Sequence, residues 1–211
     1  MDQATTTKFK LFHLFLLASF FAVLLWSVIN PVNRIIWLLE VAPVIAILFG
    51  VLITYRRFEL SALAYFLIWL VCILILLGAH YTYDKVPVFN WLKTSLNLSR
   101  NHFDRLIHFT DGFVGALVIR EILLRRFKMF SDKQIVLIIT GIILAGSAAY
   151  ELLEWGIAAV GGRLGQDYLG MQGDIWDTQW DMFVCLCGAV LALVGLSRLQ
   201  ERYLLENHRI I

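Results

Sequence analysis

The chain has 211 residues, of which 60% are hydrophobic and only 16% charged, with a mean hydropathy of +0.75. Soluble domains run nearer about 45–50% apolar and 25% charged, so the composition excludes a water-soluble globular protein and implies an integral membrane protein. The net charge of +2 gives no footprint for nucleic acid, and membrane lipids are the expected partners.

A helix needs about 20 mostly apolar residues to cross the hydrocarbon core. Six stretches meet or approach this, at about 11–29, 35–54, 60–79, 102–124, 134–157 and 178–197. The first follows Lys8 and Lys10 like a signal peptide. It lacks a small-residue cleavage site and is read as a helix. The second carries Glu40 and Pro43, and the third no charge. The fourth is interrupted by Asp104, Arg105, His108, Asp111 and Arg120. The fifth ends on Glu151 and Glu154, and the sixth follows GDIWDTQWDM (173–182). Two long loops, about 80–101 and 158–177, separate these spans, and the glycines of the second suit tight turns against helix ends. Cys72, Cys185 and Cys187 sit in apolar runs and read as small hydrophobes. The expected fold is all-α, a six-helix transmembrane bundle forming one integral membrane domain over residues 1–211.

Basic residues orient such a chain. With the N-terminus inside, twelve of the eighteen Lys and Arg lie on the inner side, among them Arg56, Arg57, Arg125, Arg126, Lys128 and Arg209. The other six, Arg34, Lys85, Lys93, Arg100, Arg105 and Arg163, lie outside. Both termini are therefore expected in the cytoplasm.

The carboxylates divide the other way. Asp2, Glu59, Glu121, Asp132, Glu201 and Glu206 fall inside. Glu40, Asp84, Asp104, Asp111, Glu151, Glu154, Asp167, Asp174, Asp177 and Asp181 fall outside or in the outer half of a helix. At about 100° per residue, Asp104, His108 and Asp111 share one helix face within roughly 60°. Glu151 and Glu154 share another, beside Tyr150, and Asp174, Asp177 and Asp181 a third; His80 closes the third span. A carboxylate in hydrocarbon costs at least about 2.5–3.5 kcal/mol, so these faces should turn from lipid into the bundle. There they would repel unless cations intervene. Arg100, Arg105 and Arg163 are too few, and the surplus of negative charge argues for a divalent metal. Oxygen and imidazole donors suit Mg²⁺, Mn²⁺, Zn²⁺ or Fe.

Single residues also have structural readings. Asp174 suits a helix N-cap, and Trp155, Trp176 and Trp180 suit an interfacial belt.

HYTYDKVP (80–87), RNHFDRLIHFTDG (100–112), YELLEW (150–155) and LGMQGDIWDTQWDM (169–182) together resemble the YjdF family of uncharacterised bacterial inner-membrane proteins. The resemblance covers most of the chain and implies an inner-membrane location, with no established activity to carry over. By motif it implies that His80, Asp84, Asp104, His108, Asp111, Glu151, Glu154, Asp174, Asp177 and Asp181 are signature positions. A weaker likeness to VanZ-type envelope proteins rests on the acidic helix end and the Asp-rich start of the last helix. The asparagine expected after those aspartates is absent.

The sequence thus points to a metal-dependent hydrolase or transferase for a lipid or cell-envelope substrate. Asp104, His108, Asp111, Glu151, Glu154, Asp174, Asp177 and Asp181 are its candidate ligands, with His80 as ligand or proton shuttle and Tyr150 beside the carboxylates. Arg105 or Arg163 could hold a phosphate. The competing reading is a scaffold or sensor whose carboxylates and arginines only lock helices. A proton-coupled transporter fits less well, because stretches such as VIAILFGVLIT offer no polar path to the cytoplasm.

Overall fold

The computed structural model describes residues 3–129 and 133–206, with side chains from Leu11 onward; Asp2, Asp132 and Arg209 lie outside the described residues. The described residues form seven helices and no strands. These are α1 (Gln3–Val28), α2 (Arg34–Tyr55), α3 (Ala62–Tyr81), α4 (Pro87–Ser95), α5 (Phe103–Arg126), α6 (Lys133–Leu169) and α7 (Asp177–Glu206). Five of them, all but α4 and α5, are long and apolar enough to cross a membrane. Large apolar side chains such as Leu11, Phe15, Leu38, Phe49 and Leu137 point outward. In lipid, this outward apolar surface is solvated rather than wasted.

The chain divides into two compact units, Met1–Tyr81 and Thr82–Ile211. In the first, α3 packs on both α1 and α2. Asn33 caps α2, its Oδ1 accepting from the Ile35 and Ile36 backbone N–H groups at 3.0 and 3.2 Å. Indole-to-hydroxyl bonds stitch the helices without charge, Trp37 to Ser27 at 3.2 Å and Trp69 to Ser19 at 3.1 Å.

In the second unit α5 packs chiefly on α7 and also on α6. Two glycines make the α5–α7 approach close. A Cβ on Gly112 would run into the Cys185 backbone, and one on Gly188 into the Phe109 backbone. Ala116, Ala189 and Ala192 continue this contact, each wholly buried. Four of these small residues are spaced i, i+4 on their helix (Gly112 and Ala116, Gly188 and Ala192), the pattern that lets membrane helices pack backbone to backbone.

This packing explains why α5 carries so many charges. His108, Arg120 and Glu121 are buried against protein: His108 meets Asp104 of α5 and Glu151 of α6, Arg120 meets Gln200 and Glu201 of α7, and Glu121 pairs with Arg125 on α5 itself.

Two loop expectations change. The 80–101 stretch contains α4, begun by Pro87 in its first turn, where a missing N–H costs nothing. The fifth helix does not stop at 157. It runs to Leu169 with a break at Gly162, whose φ of 56° and ψ of −132° only glycine takes easily. Beyond the break the chain doubles back, so that Gly165 packs on the Ala158 backbone. Turns proper occupy 170–176, with positive φ at Gly170, Gln172 and Gly173.

Candidate metal centre

Three helices of the second unit bring their acidic faces together. On α5, Asp104 and His108 lie one turn apart. On α7, Asp181 faces them, and one ligand atom from each of Asp104, His108 and Asp181 lies within 4.8 Å of the others. His108 and Asp181 are 7% and 3% exposed, while Asp104 is half-buried. Asp181 Oδ1 is buried and accepts no hydrogen bond. A buried acceptor left bare costs roughly 1–3 kcal/mol, and more when charged.

Glu151 of α6 completes the wall. Its Oε1 lies 3.5 Å from His108 Nε2, which is itself 3.7 Å from Asp104 Oδ1. Thr178, between the aspartates of α7, hydrogen-bonds Glu151. Tyr150 hydrogen-bonds Glu154 and sets its ring 6.2 Å from the His108 ring. Glu154 is coupled electrostatically to Asp104 and Asp181, as Asp111 is to Asp104. Neither Glu154 nor Asp111 belongs to the close trio.

The remaining two aspartates are engaged by arginine. Arg100, 3% exposed, pairs tightly with Asp177 and lies 3.7 Å from Asp174. Arg105 reaches Asp174 at 2.6 Å and Asp177 at 3.7 Å. Asp174 also closes a turn just ahead of α7, its Oδ1 accepting from the Trp176 N–H at 3.0 Å. That backbone bond, with the Arg105 guanidinium, holds the Asp174 carboxyl below the usual carboxylate range. The eight candidate ligands thus separate into a close trio, a pair coordinated by arginine, and three carboxylates around them.

Two further expectations meet different surroundings. His80 belongs to the first unit, where its ring stacks on Trp26 and its Nδ1 lies 3.1 Å from the Ser27 carbonyl oxygen. Arg163 is exposed beyond the Gly162 break.

The structure adds groups that sequence reasoning passed over. Asn101, buried before α5, donates its Nδ2 to Asn90 and the Val86 carbonyl, while Gln172 bonds both its backbone N–H (2.8 Å) and its carbonyl (3.0 Å). About 24 Å along α5 from Asp104 lies a second polar layer. Arg120 donates to Gln200 at 3.1 Å and to Glu201 at 2.9 Å, Gln200 donates to the Leu117 carbonyl at 2.7 Å, and Arg125 pairs with Glu121. Val114, Ala116, Leu117, Ala189, Ala192 and Leu193 form a buried apolar belt between the two layers.

Comparison with known proteins agrees with the motif resemblance. The family described as "Predicted membrane protein (DUF2238)" matches residues 12–202. The inner membrane protein YjdF of Escherichia coli (strain K12) is 43% identical over 182 residues, covering 86% of this chain and 87% of that protein. No solved structure matches the chain.

Proposed function

For a chain that belongs to the DUF2238 family of predicted membrane proteins, we propose a metal-dependent hydrolase or transferase of the inner membrane, acting on a lipid or cell-envelope substrate. One observation carries this reading: Asp104, His108 and Asp181 converge from two helices, and a buried Asp181 oxygen has no hydrogen-bond partner. An acidic face alone would not suffice. The bare oxygen beside an imidazole supplies the independent sign of a cation.

Of the candidate ions, the imidazole of His108 with two carboxylates suits Zn²⁺ or Fe best, while Mg²⁺ or Mn²⁺ would rely mainly on the carboxylate oxygens. Such an ion, when bound, polarises a substrate oxygen and makes a bound water acidic enough to attack near neutral pH. Glu151 Oε1, 3.5 Å from His108 Nε2, would be placed to accept a proton at that nitrogen. Tyr150 and Glu154 form the wall behind the imidazole, and Asp111 adds negative charge one turn deeper. Arg105, 19% exposed at the side chain, is the cation best placed to meet an incoming anionic group.

In membrane terms the chain has six spans, α5 being the sixth, with both termini cytoplasmic and the trio beneath the outer surface. The 24 residues of α5 extend about 36 Å, enough for a core of about 30 Å.

Element analysis of protein purified without chelator tests the reading. Wild-type protein should hold one of these metals in stoichiometric amount, and His108→Ala and Asp181→Asn should lose it. Retention of the same metal content by both variants, or none in the wild type, would sink the proposal.

The scaffold reading keeps one observation in its favour, since Arg100 and Arg105 each approach both Asp174 and Asp177 and so tie α5 to α7. It leaves the bare Asp181 oxygen unexplained.

A further inference from the structure

Arg100 and Arg105 are only partly used by the aspartates beside them. Arg100 spends Nη1 on Asp177, while its Nε and Nη2 are buried with no hydrogen-bond partner. Arg105 spends Nη2 on Asp174, and its Nε is likewise bare. A guanidinium presents its N–H groups in a planar fork, and the Nε–Nη2 edge is one that grips two oxygens of one anion. Leaving that edge unmade on a side chain 3% exposed is costly. Asp174 and Asp177 both span the two arginines, and of the two Asp174 is the part-exposed one, standing where an external anion would meet both.

The surroundings specify what else that anion carries. Arg105 lies over the Trp180 ring, 5.5 Å from its centroid. Trp180 continues into an open groove of about 470 Å³ lined by Trp176, Gln179, Trp180 and Phe183. The three aromatics are 59%, 45% and 54% exposed. Arg105, with Arg100 buried behind the same two aspartates, thus borders an apolar aromatic surface, a combination complementary to an amphiphile with an anionic head.

We infer that Arg100 and Arg105 bind the phosphate of a phosphate-bearing lipid, taking the place of Asp174, with the lipid's apolar part lying on Trp176, Trp180 and Phe183. This rests on the enzyme reading above and names its substrate class. The phosphate would sit beside the Asp104–His108–Asp181 trio, where a metal-assisted step on it could occur.

The test uses full-length protein in detergent, stripped of divalent ions, with three probes: phosphatidic acid, diacylglycerol and inorganic phosphate. Phosphatidic acid should bind about tenfold or more tightly than either of the others. Arg105→Gln should weaken phosphatidic acid by about tenfold, and Arg105→Lys, which keeps charge but loses the fork, should restore only part of it. Trp180→Ala should weaken phosphatidic acid and leave inorganic phosphate unchanged. Diacylglycerol binding as tightly as phosphatidic acid would overturn the phosphate assignment. So would undiminished phosphatidic acid binding by both Arg105 variants at unchanged melting temperature. Inorganic phosphate binding as tightly as the lipid would overturn the lipid assignment. The two readings fail separately. Arg105-dependent lipid binding by a protein that never holds metal leaves this inference standing and removes the metal. Metal content that depends on His108, without Arg105-dependent binding, does the reverse.

Discussion

The same two helices, α5 and α7, carry two buried polar layers of opposite character. At the Arg120 end, two arginines (Arg120, Arg125) meet two glutamates (Glu121, Glu201), and Gln200 links Arg120 to the Leu117 carbonyl. At the Asp104 end, seven carboxylates (Asp104, Asp111, Glu151, Glu154, Asp174, Asp177, Asp181) surround two arginines, a surplus of five. One layer is balanced and holds helices together. The other has more carboxyls than guanidiniums, and Arg100, Arg105, Glu151 and Asp181 there keep buried atoms without a hydrogen-bond partner. Burial and ionisable side chains are common to both layers; the excess of carboxyls over guanidiniums is not.

The contrast can be broken from either side. Arg120→Ala should be the most destabilising change, about 2–5 kcal/mol, because it empties the space of a wholly buried side chain and leaves the buried Gln200 oxygen without its donor. The thermal midpoint in lipid nanodiscs would register it. The matching change at the other layer, Asp181→Asn, should leave the metal-free protein as stable as before or more so. A large loss from Asp181→Asn would mean that both layers are structural.

Next in size is Gly188→Ala. Its methyl group meets the Phe109 backbone, which cannot rotate away, so overpacking of about 1–3 kcal/mol is expected. Because α5 and α7 would separate along their length, this change should lower stability and metal content together, unlike either polar variant.

The smallest effect belongs to Asp174→Asn. A carboxylate held below its usual range adds stability that is complete above the unfolded value, about 3.9, and disappears as pH falls through its lower folded value. Wild type and variant should therefore differ slightly in melting temperature at neutral pH and converge in strong acid. A difference that persists at the lowest pH would assign the effect to the hydrogen bond in the turn before α7 rather than to charge.

Much of the acidic layer was legible in the sequence because helical phase is a local property. The spacing of Asp104, His108 and Asp111, or of Asp177 and Asp181, requires no knowledge of the fold. Which carboxylates the arginines would claim was not legible, since Arg100 lies 77 positions from Asp177. The Arg120 layer escaped for a different reason. Arg120 and Glu121 sit near a cluster of basic residues that reads naturally as an orientation signal, and only the packing of α7 reveals that they face inward. The length of α6 was misjudged because Gly161 and Gly162 suggest a helix end, whereas the chain makes a single break and continues. The α5–α7 contact left its trace in small residues spread over 80 positions, with no local pattern to connect them.

The paired amides of Asn101 and Gln172 bear on how such a site could change charge without losing shape. The start of α5 and the approach to α7 are joined there by two bonds between neutral groups. Amides neither titrate nor answer to ionic strength. In the proposed function, where an ion binds among the carboxylates nearby and a phosphate takes the place of Asp174, this clasp would keep the two helix starts in register. The geometry of the acidic layer would thereby be insulated from the chemistry proposed for it.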